Sequence, residues 1–248
     1  MLDIRVANSV VDYALSLGTD FAELFVEQNH VNTIGTLSNE VQAVRSGIDF
    51  GIGIRLVYGH KVLYGYTNKV EEDELKRIVT ELATKDLRDP LTQKQNFDYR
   101  TIKESHPATN TLSKDACIES KIVFLLTADQ TARAASNIIS QTRGSCLQRE
   151  QQIEIFNSEG LHTDDTRHYI RASLTAYASD GSEQATGSWN NGGLKGWEIK
   201  DEIDAERTGR EAARQALVNL RAKACPSGRM PVVLGNGFGG VIFHEACG

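Results

Sequence analysis

The residues best suited to chemistry lie near the end of the sequence, where His244 and Glu245 are adjacent. In zinc hydrolases, an imidazole holds the metal while a neighbouring carboxylate accepts a proton from the attacking water. With six histidines in 248 residues, such a pair also arises by chance. A buried histidine on an apolar helix is therefore the simpler interpretation of these two residues taken alone.

The elements before the pair would position it. Val232, Val233 and Leu234 predict a short buried strand, and a glycine-rich turn follows it. Asn236 is suited to cap a helix after the turn, in which residues 241 to 243 would form a buried apolar side. The segment therefore predicts a strand, a turn and a helix that carries His244 and Glu245.

The stretch from Gly228 to Gly248 resembles the TldD/PmbA family. The matching residues include Gly237-Phe238-Gly239-Gly240 and His244-Glu245-Ala246-Cys247-Gly248. The stretch is similar to the catalytic TldD branch, whose signature is His-Glu-x-x-x-His. The resemblance extends through nearly all of the chain, which covers only about the first half of a family member.

The resemblance implies a zinc site. In the family, two histidines and a cysteine far downstream hold the metal, and the glutamate is the general base. Carried over to this sequence, His244 is a zinc ligand and Glu245 is the base. The second histidine would follow Gly248 directly, so we expect the motif to be truncated here.

The spacing of that motif has a geometric consequence. Histidines five residues apart on a regular α-helix point about 140° apart, against about 40° for a spacing of four. Gly248 is the residue that could permit the required distortion. Cys247 would share a helix side with His244, which suits a ligand. Because the family's thiolate comes from downstream, we expect Cys247 to be a small buried residue instead.

The same glycines offer a second interpretation. Gly235-x-Gly237-x-x-Gly240, after a strand and at the start of a helix, matches the dinucleotide-binding pattern. That fold needs a second strand and an acidic residue about twenty positions later, whereas eight residues follow Gly240. Dinucleotide binding is therefore the less favoured alternative.

A further group with metal-binding residue types runs from His162 to His168 and includes Asp164 and Asp165. Its imidazoles and carboxylates suit a divalent ion. However, Asp164-Asp165-Thr166 is also typical of a polar turn between two strands, and Arg167 would oppose a cation. We therefore favour a turn at this position.

The pattern of apolar residues predicts an α+β fold made of duplicated modules. Helix, four or so antiparallel strands and helix occur twice in succession, which agrees with the N-terminal architecture of the family. Strands are predicted at Phe21 to Glu27 and Val31 to Leu37, then at Val41 to Arg45 and Phe50 to Tyr58, with breaks between them. Gly51 and Gly53 leave one side of the last strand bare, which indicates close backbone approach or a bend. The predicted division is a first module at 1–85, a linker or surface crossing at 86–112, a second module at 113–227 and an incomplete catalytic segment at 228–248.

Composition narrows the class of protein. A net charge of −6 argues against a direct nucleic-acid partner, which would require a basic face. The longest clean apolar run, Ile122 to Leu126, is too short to cross a membrane. The four cysteines are scattered without a disulfide-framework spacing, which predicts a reducing cytoplasm.

These observations together predict the N-terminal portion of a cytoplasmic TldD-like zinc metallopeptidase. The resemblance implies that it hydrolyses peptides or unfolded protein segments and that it forms a dimer with a paralogous PmbA-like subunit or with itself. Some family members were named modulators of DNA gyrase, which we interpret as an indirect role because this chain is acidic. The alternative is a non-catalytic fragment or interaction subunit. We expect the isolated chain to bind little zinc and to be inactive.

Overall fold

Two successive groups of elements have the same order, helix, three strands and helix. The computed structural model describes residues 1–86, 98–99 and 118–248. In the first group, helix α1 spans Ile4–Ser16, strands β1, β2 and β3 span Phe21–Leu37, Glu40–Tyr58 and Lys61–Thr67, and helix α2 spans Glu72–Ala83.

The second group follows a two-residue strand, β4 (Asp98–Tyr99). Helix α3 spans Ile118–Ala134, strands β5, β6 and β7 span Ile139–Asn157, Leu161–Ser179 and Gln184–Gly193, and helix α4 spans Ala205–Leu220. A 3₁₀ turn at Trp197–Asp201 precedes α4, and a second one at Gly237–Gly239 precedes helix α5 (Gly240–Cys247).

All seven strands that the structure describes belong to one sheet. The order is β3-β2-β1-β5-β6, with β4 and β7 both pairing with β6. Every pairing is antiparallel except the short β4–β6 contact. The two groups meet where β1 pairs with β5, from Glu23 opposite Asn157 to Leu37 opposite Arg143. The predicted α+β class is confirmed.

The helices begin, end and pack for local reasons. Asp3 caps α1 because its side chain accepts a hydrogen bond from the backbone N–H of Arg5 at 2.8 Å. Gly18 follows that helix with a φ of 87°, a conformation that glycine adopts without strain. The buried side of α1 carries Val10 and Ala14, which pack with β1, β2 and α2 in the first core. Alanines of α3 and α4 pack with β6 in the second core.

The strands are longer than the sequence predicts. β1 is continuous through residues 28–30, and β2 is continuous through Ser46 and Gly47, so the predicted breaks are wrong. Both strands continue because β1 is hydrogen-bonded on both sides, to β2 and to β5. In the second group, β5 is likewise one continuous strand of 19 residues. Each group therefore has three long strands rather than four.

Tight turns join three pairs of neighbouring strands. Ser38 and Asn39 have φ angles of 47° and 68°, as a tight hairpin requires. Gly59 and Gly160 have φ angles of 61° and 83° at the next two hairpins. Most of the predicted linker at 86–112 lies outside the described residues, so the domain division stays a prediction. Among the helices that the structure describes, none is both long enough and apolar enough to cross a membrane.

Candidate functional site

The segment that carries His244 and Glu245 lies outside the packed cores. Its side chains from residue 221 onward are exposed, except for a half-buried Gly239. The side chain of Val233 is 97% exposed, and residues 229–235 form no strand. The predicted buried strand at Val232–Leu234 is therefore wrong. An apolar run forms a stable strand only when a partner strand and a packing surface are present.

The glycine turn and the helix after it are present. Gly237 has a φ of 79°, which glycine permits, and α5 has eight residues. Asn236 lies at the cap position but makes no side-chain capping bond, and residues 241–243 are exposed rather than buried. Because no strand precedes these glycines, they also lack the strand–turn–helix context that dinucleotide binding needs.

His244 and Glu245 lie side by side on α5, and both side chains are exposed. The backbone N–H of Gly248 donates to the carbonyl oxygen of His244 at 2.9 Å, which closes the last helical turn. A Cβ atom at Gly248 would lie 2.6 Å from that oxygen and 3.1 Å from the His244 Nδ1 atom. A residue larger than glycine would therefore have to shift away from His244 at this position.

The donor atoms near His244 match part of a zinc site. Its imidazole is exposed and able to bind a metal, and Cys247 is exposed rather than buried as predicted. Within the described ranges, no group of three or more His, Cys, Asp or Glu side chains is placed to hold a metal ion. A catalytic zinc normally has three protein ligands. These residues supply one position of such a site and do not complete it.

The His162–His168 group occupies a different environment from the one predicted. All seven residues lie inside β6, so the predicted turn at Asp164–Thr166 is wrong. His162 and His168 point to one side of the sheet, while Asp165 and Arg167 alternate to the other side. On that second side, Arg167 pairs with Asp165 at 2.7 Å.

Carboxylates of β5 face both histidines. His162 Nε2 lies 2.9 Å from Glu154 Oε1, and its ring stacks on Phe156 with centroids 4.1 Å apart. His168 Nδ1 lies 3.8 Å from Glu150 Oε2. The backbone N–H of Leu2 also donates to Glu154. These contacts favour a structural role for the group over metal binding. Sequence reasoning missed Glu150 and Glu154, because only the β5–β6 register brings Glu150 opposite His168 and Glu154 diagonally across from His162.

The glycines of β2 mark a further feature that the sequence indicated. Gly51 and Gly53 lie on one side of the strand, and a cleft of about 720 Å³ opens beside them. A Cβ atom at Gly53 would lie 2.2 Å from the hydroxyl of Tyr64, which covers this glycine. At Gly51 the nearest atom would be 3.7 Å away. The close neighbour at Gly53 is therefore the side chain of Tyr64 rather than the backbone that the sequence indicated.

Comparison with known protein families identifies two parts of the chain. Residues 22–84 match the family model described as PmbA/TldA metallopeptidase domain 1. Residues 112–220 match the model described as the PmbA/TldA metallopeptidase central domain.

Curated relatives of this chain carry the name metalloprotease, and two of them illustrate the similarity. The "Metalloprotease TldD homolog" of Haemophilus influenzae is 29% identical, over 100% of this chain and 52% of its own length. "Metalloprotease MJ0996" of Methanocaldococcus jannaschii is 23% identical, over 96% of this chain and 52% of its own length. The chain thus spans about half the length of these curated relatives.

Solved structures share the fold. A protein of Bacteroides thetaiotaomicron, whose name gives it a proposed role as a modulator of DNA gyrase, has a TM-score of 0.72 at 16% identity. The match covers 90% of this chain and 51% of that one. TldE from Thermococcus kodakarensis has a TM-score of 0.64 at 14% identity, and the match covers 86% of this chain and 47% of TldE. Since models of the first and of the central domain match in order and cover more than half of the sequence, the chain belongs to the PmbA/TldD family.

Proposed function

We propose that this chain is the N-terminal portion of a TldD-like zinc metallopeptidase that hydrolyses peptides or unfolded protein segments. The observation that carries the proposal is the exposed His244–Glu245 pair on α5, in a chain whose relatives are named metalloproteases. In this proposal His244 is a zinc ligand and Glu245 is the general base.

The two residues have separate tasks. Bound zinc would polarise a peptide carbonyl and make water a stronger nucleophile. The His244 imidazole would hold the metal through a ring nitrogen. The Glu245 carboxylate would accept the proton from the attacking water and pass it to the leaving amine. Adjacent positions on a helix point about 100° apart, so the ligand and the base can approach the reacting water from different directions.

The proposal is tested in a protein that continues this chain to the length of its relatives. Glu245→Gln removes the base but keeps the side-chain size, so peptide hydrolysis should fall by about 10²–10⁴-fold with zinc content unchanged. His244→Ala should lose both zinc and activity. Glu206→Gln, at an exposed helical position, is the matched control and should behave as wild type. Near-normal turnover of Glu245→Gln would contradict the assignment.

Partners and location follow from the same proposal. Similarity to TldE supports a dimer with a paralogous PmbA-like subunit or with a second copy. Cys146, Cys225 and Cys247 are free thiols, which supports a reducing cytoplasm. The net charge of −6 supports an indirect rather than a DNA-binding role in any effect on gyrase.

One observation favours a second candidate, a non-catalytic interaction subunit. Within the described ranges the metal donors near His244 are incomplete. If the protein of full family length purifies without zinc and hydrolyses no peptide, this second function replaces the first. Zinc bound through His244 together with peptidase activity would exclude it.

A further inference from the structure

The cleft beside β2 lies where strand β3 ends. β3 pairs with β2 only from Lys61 opposite Tyr58 to Thr67 opposite Ile52. Among the described residues, β2 has no strand partner on that side from Glu40 to Gly51. An unpaired strand edge presents N–H and C=O groups that an added strand can bond. The cleft of about 720 Å³ is therefore continuous with a free edge.

The free edge is exposed and apolar on one side of the sheet. Val44 and Ile48 of β2 are 47% and 66% exposed. They share a side of the strand because their positions differ by an even number. Twelve residues of strand extend about 40 Å, which exceeds the length of a short extended peptide. This part of β2 therefore offers both backbone hydrogen bonds and apolar contacts.

The cleft itself combines aromatic rings with an open floor. Tyr64 and Tyr66 of β3 form one wall, and Phe25 of β1 lines the cleft as well. Tyr66 is 81% exposed, so its ring is available to a ligand. Gly51 forms the floor of the cleft, and it has no side chain to fill the space above it. A Cβ atom added there would have no neighbour closer than 3.7 Å. The cleft thus has room above Gly51 for the side chain of a bound ligand.

The carboxylates that line the cleft differ in whether they already have a hydrogen-bond or ion-pair partner. Glu27 accepts hydrogen bonds from Arg149 at 3.1 Å and from Gln151 at 2.6 Å. Glu74 pairs with Arg77 at 2.9 Å, and Lys69 lies nearby on the rim. In contrast, Asp49 has no hydrogen bond or ion pair in the part of the chain that the structure describes. Asp49 lies on the same side of β2 as Gly51. Its carboxylate can therefore pair with a cationic group of a ligand bound above Gly51.

We propose that this cleft binds an extended peptide segment that adds to the free edge of β2 and places a lysine or arginine side chain over Gly51. The cation lies between the Tyr66 ring and the Asp49 carboxylate, which combines a cation–π contact with a charge-assisted hydrogen bond. The inference deepens the proposed function, on which it rests, because it assigns peptide binding to the N-terminal portion of a peptidase. It selects basic, strand-forming segments as the substrate class.

Binding of two fluorescein-labelled hexapeptides, measured by fluorescence anisotropy at low salt, tests the inference on the 248-residue chain. One peptide alternates valine with lysine, and the other alternates valine with glutamate. We expect the lysine peptide to bind at least about tenfold more tightly. We also expect its binding to weaken as salt is added.

Two variants with matched controls locate the site. Gly51→Val fills the floor of the cleft, and Asp49→Lys reverses its free charge. Each should weaken binding of the lysine peptide by about tenfold or more. Gly35→Val, which lies in β1 rather than on the free edge and has nothing within 4 Å of its Cβ position, should bind as wild type. Asp201→Lys, at a side chain that is 72% exposed, controls for charge. Thermal unfolding checks that each variant is folded.

The outcomes separate this inference from the peptidase proposal, because the readout is binding and not hydrolysis. Equal binding of both peptides, no binding of either, or unchanged binding by a folded Gly51→Val protein would overturn it. A peptidase that depends on Glu245 but shows one of these results keeps its activity assignment and loses the docking site. Selective binding that Gly51→Val abolishes supports the docking site even if hydrolysis is never found.

Discussion

Burial separates the cysteines that the structure describes into two kinds. Cys146 is 1% exposed, and burial raises the pKa of its thiol to about 11, with nearby Lys121 acting in the opposite direction. Cys225 and Cys247 are exposed. Since the thiolate is the reactive form, Cys146 should be inert at pH 8.

Iodoacetamide labelling followed by mass spectrometry measures this difference. Cys225 and Cys247 should be modified at least about 100-fold faster than Cys146 in the folded protein. In urea, Cys146 should become as reactive as the others. Rapid labelling of Cys146 without denaturant would show that the region around β5 opens readily.

Zinc binding is a second property set by single residues. Because only one motif histidine is available and no three-donor group is formed within the described residues, the isolated chain should purify with little zinc. Elemental analysis of protein prepared without chelators measures this. Near-stoichiometric zinc that disappears in His244→Ala would show instead that a local donor such as Cys247 completes the site.

The sequence was informative about residues whose role depends on their neighbours along the chain. The His244–Glu245 pair was found because the motif is contiguous, and Gly51 and Gly53 because glycine is unusual within a strand. The segment from His162 to His168 was predicted to contain a turn but lies in a strand, and the partners of its histidines, Glu150 and Glu154, lie on another strand. A contact that depends on strand register leaves no local pattern in the sequence.

At the scale of elements, the close crossing of α3 and α4 depends on a glycine. A Cβ atom at Gly209 would lie 2.2 Å from the carbonyl oxygen of Ala128 and 3.0 Å from the nitrogen of Ala132. Alanine in a helix is normally more stable than glycine by about 1 kcal/mol. Here the helices would have to move apart, and overpacking of this kind costs roughly 1–3 kcal/mol.

Gly209→Ala should therefore lower the free energy of unfolding despite its better helix propensity, as measured by urea denaturation. Gly47→Ala is the control, because its Cβ position is open. It should be neutral or slightly stabilising, since alanine restricts the unfolded chain. A Gly209→Ala protein as stable as wild type would mean that the two helices do not cross this closely.

Helices were predicted better than strands for a physical reason. The buried residues of α1, α2 and α4 recur with the helical period, so a helix can be recognised from the sequence of each segment alone. The middle of β1 and β2 carries polar residues such as Asn29, His30 and Ser46, which resemble turns when read alone. These residues stay in strands because partner strands satisfy their backbone groups.

At the scale of the whole molecule, the two groups of elements share one sheet, and each contributes side chains to the core of the other. Phe156 of β5 is fully buried in the first core, with residues of α1 and β2. Ile34 of β1 is buried in a third core cluster with Phe124 and Leu125 of α3. The backbone N–H of Asn39, in the β1–β2 turn, donates to the buried Asp129 of α3 at 3.0 Å. Each group therefore completes the packing of the other.

This sharing predicts that the duplicated groups unfold together. If residues 1–112 and 113–248 were produced separately, β1 and β5 would each expose the long edge along which they pair. Each core would also lose a buried side chain from the other group, a loss comparable to the roughly 3–5 kcal/mol of a Phe→Ala change. Because two-state domains have a net stability of only about 5–15 kcal/mol, a loss of this size would leave each fragment close to unfolding.

The intact chain should therefore show one cooperative urea transition, with circular dichroism and tryptophan fluorescence giving the same midpoint. Phe156→Ala should shift that whole transition to lower urea rather than split it. The separate fragments should each lack a cooperative transition, and mixing them during refolding should restore one, because only the β1–β5 pairing closes the sheet. Two resolved transitions in the intact chain, or a fragment that folds alone, would show that the groups are independent domains whose pairing adds little to stability.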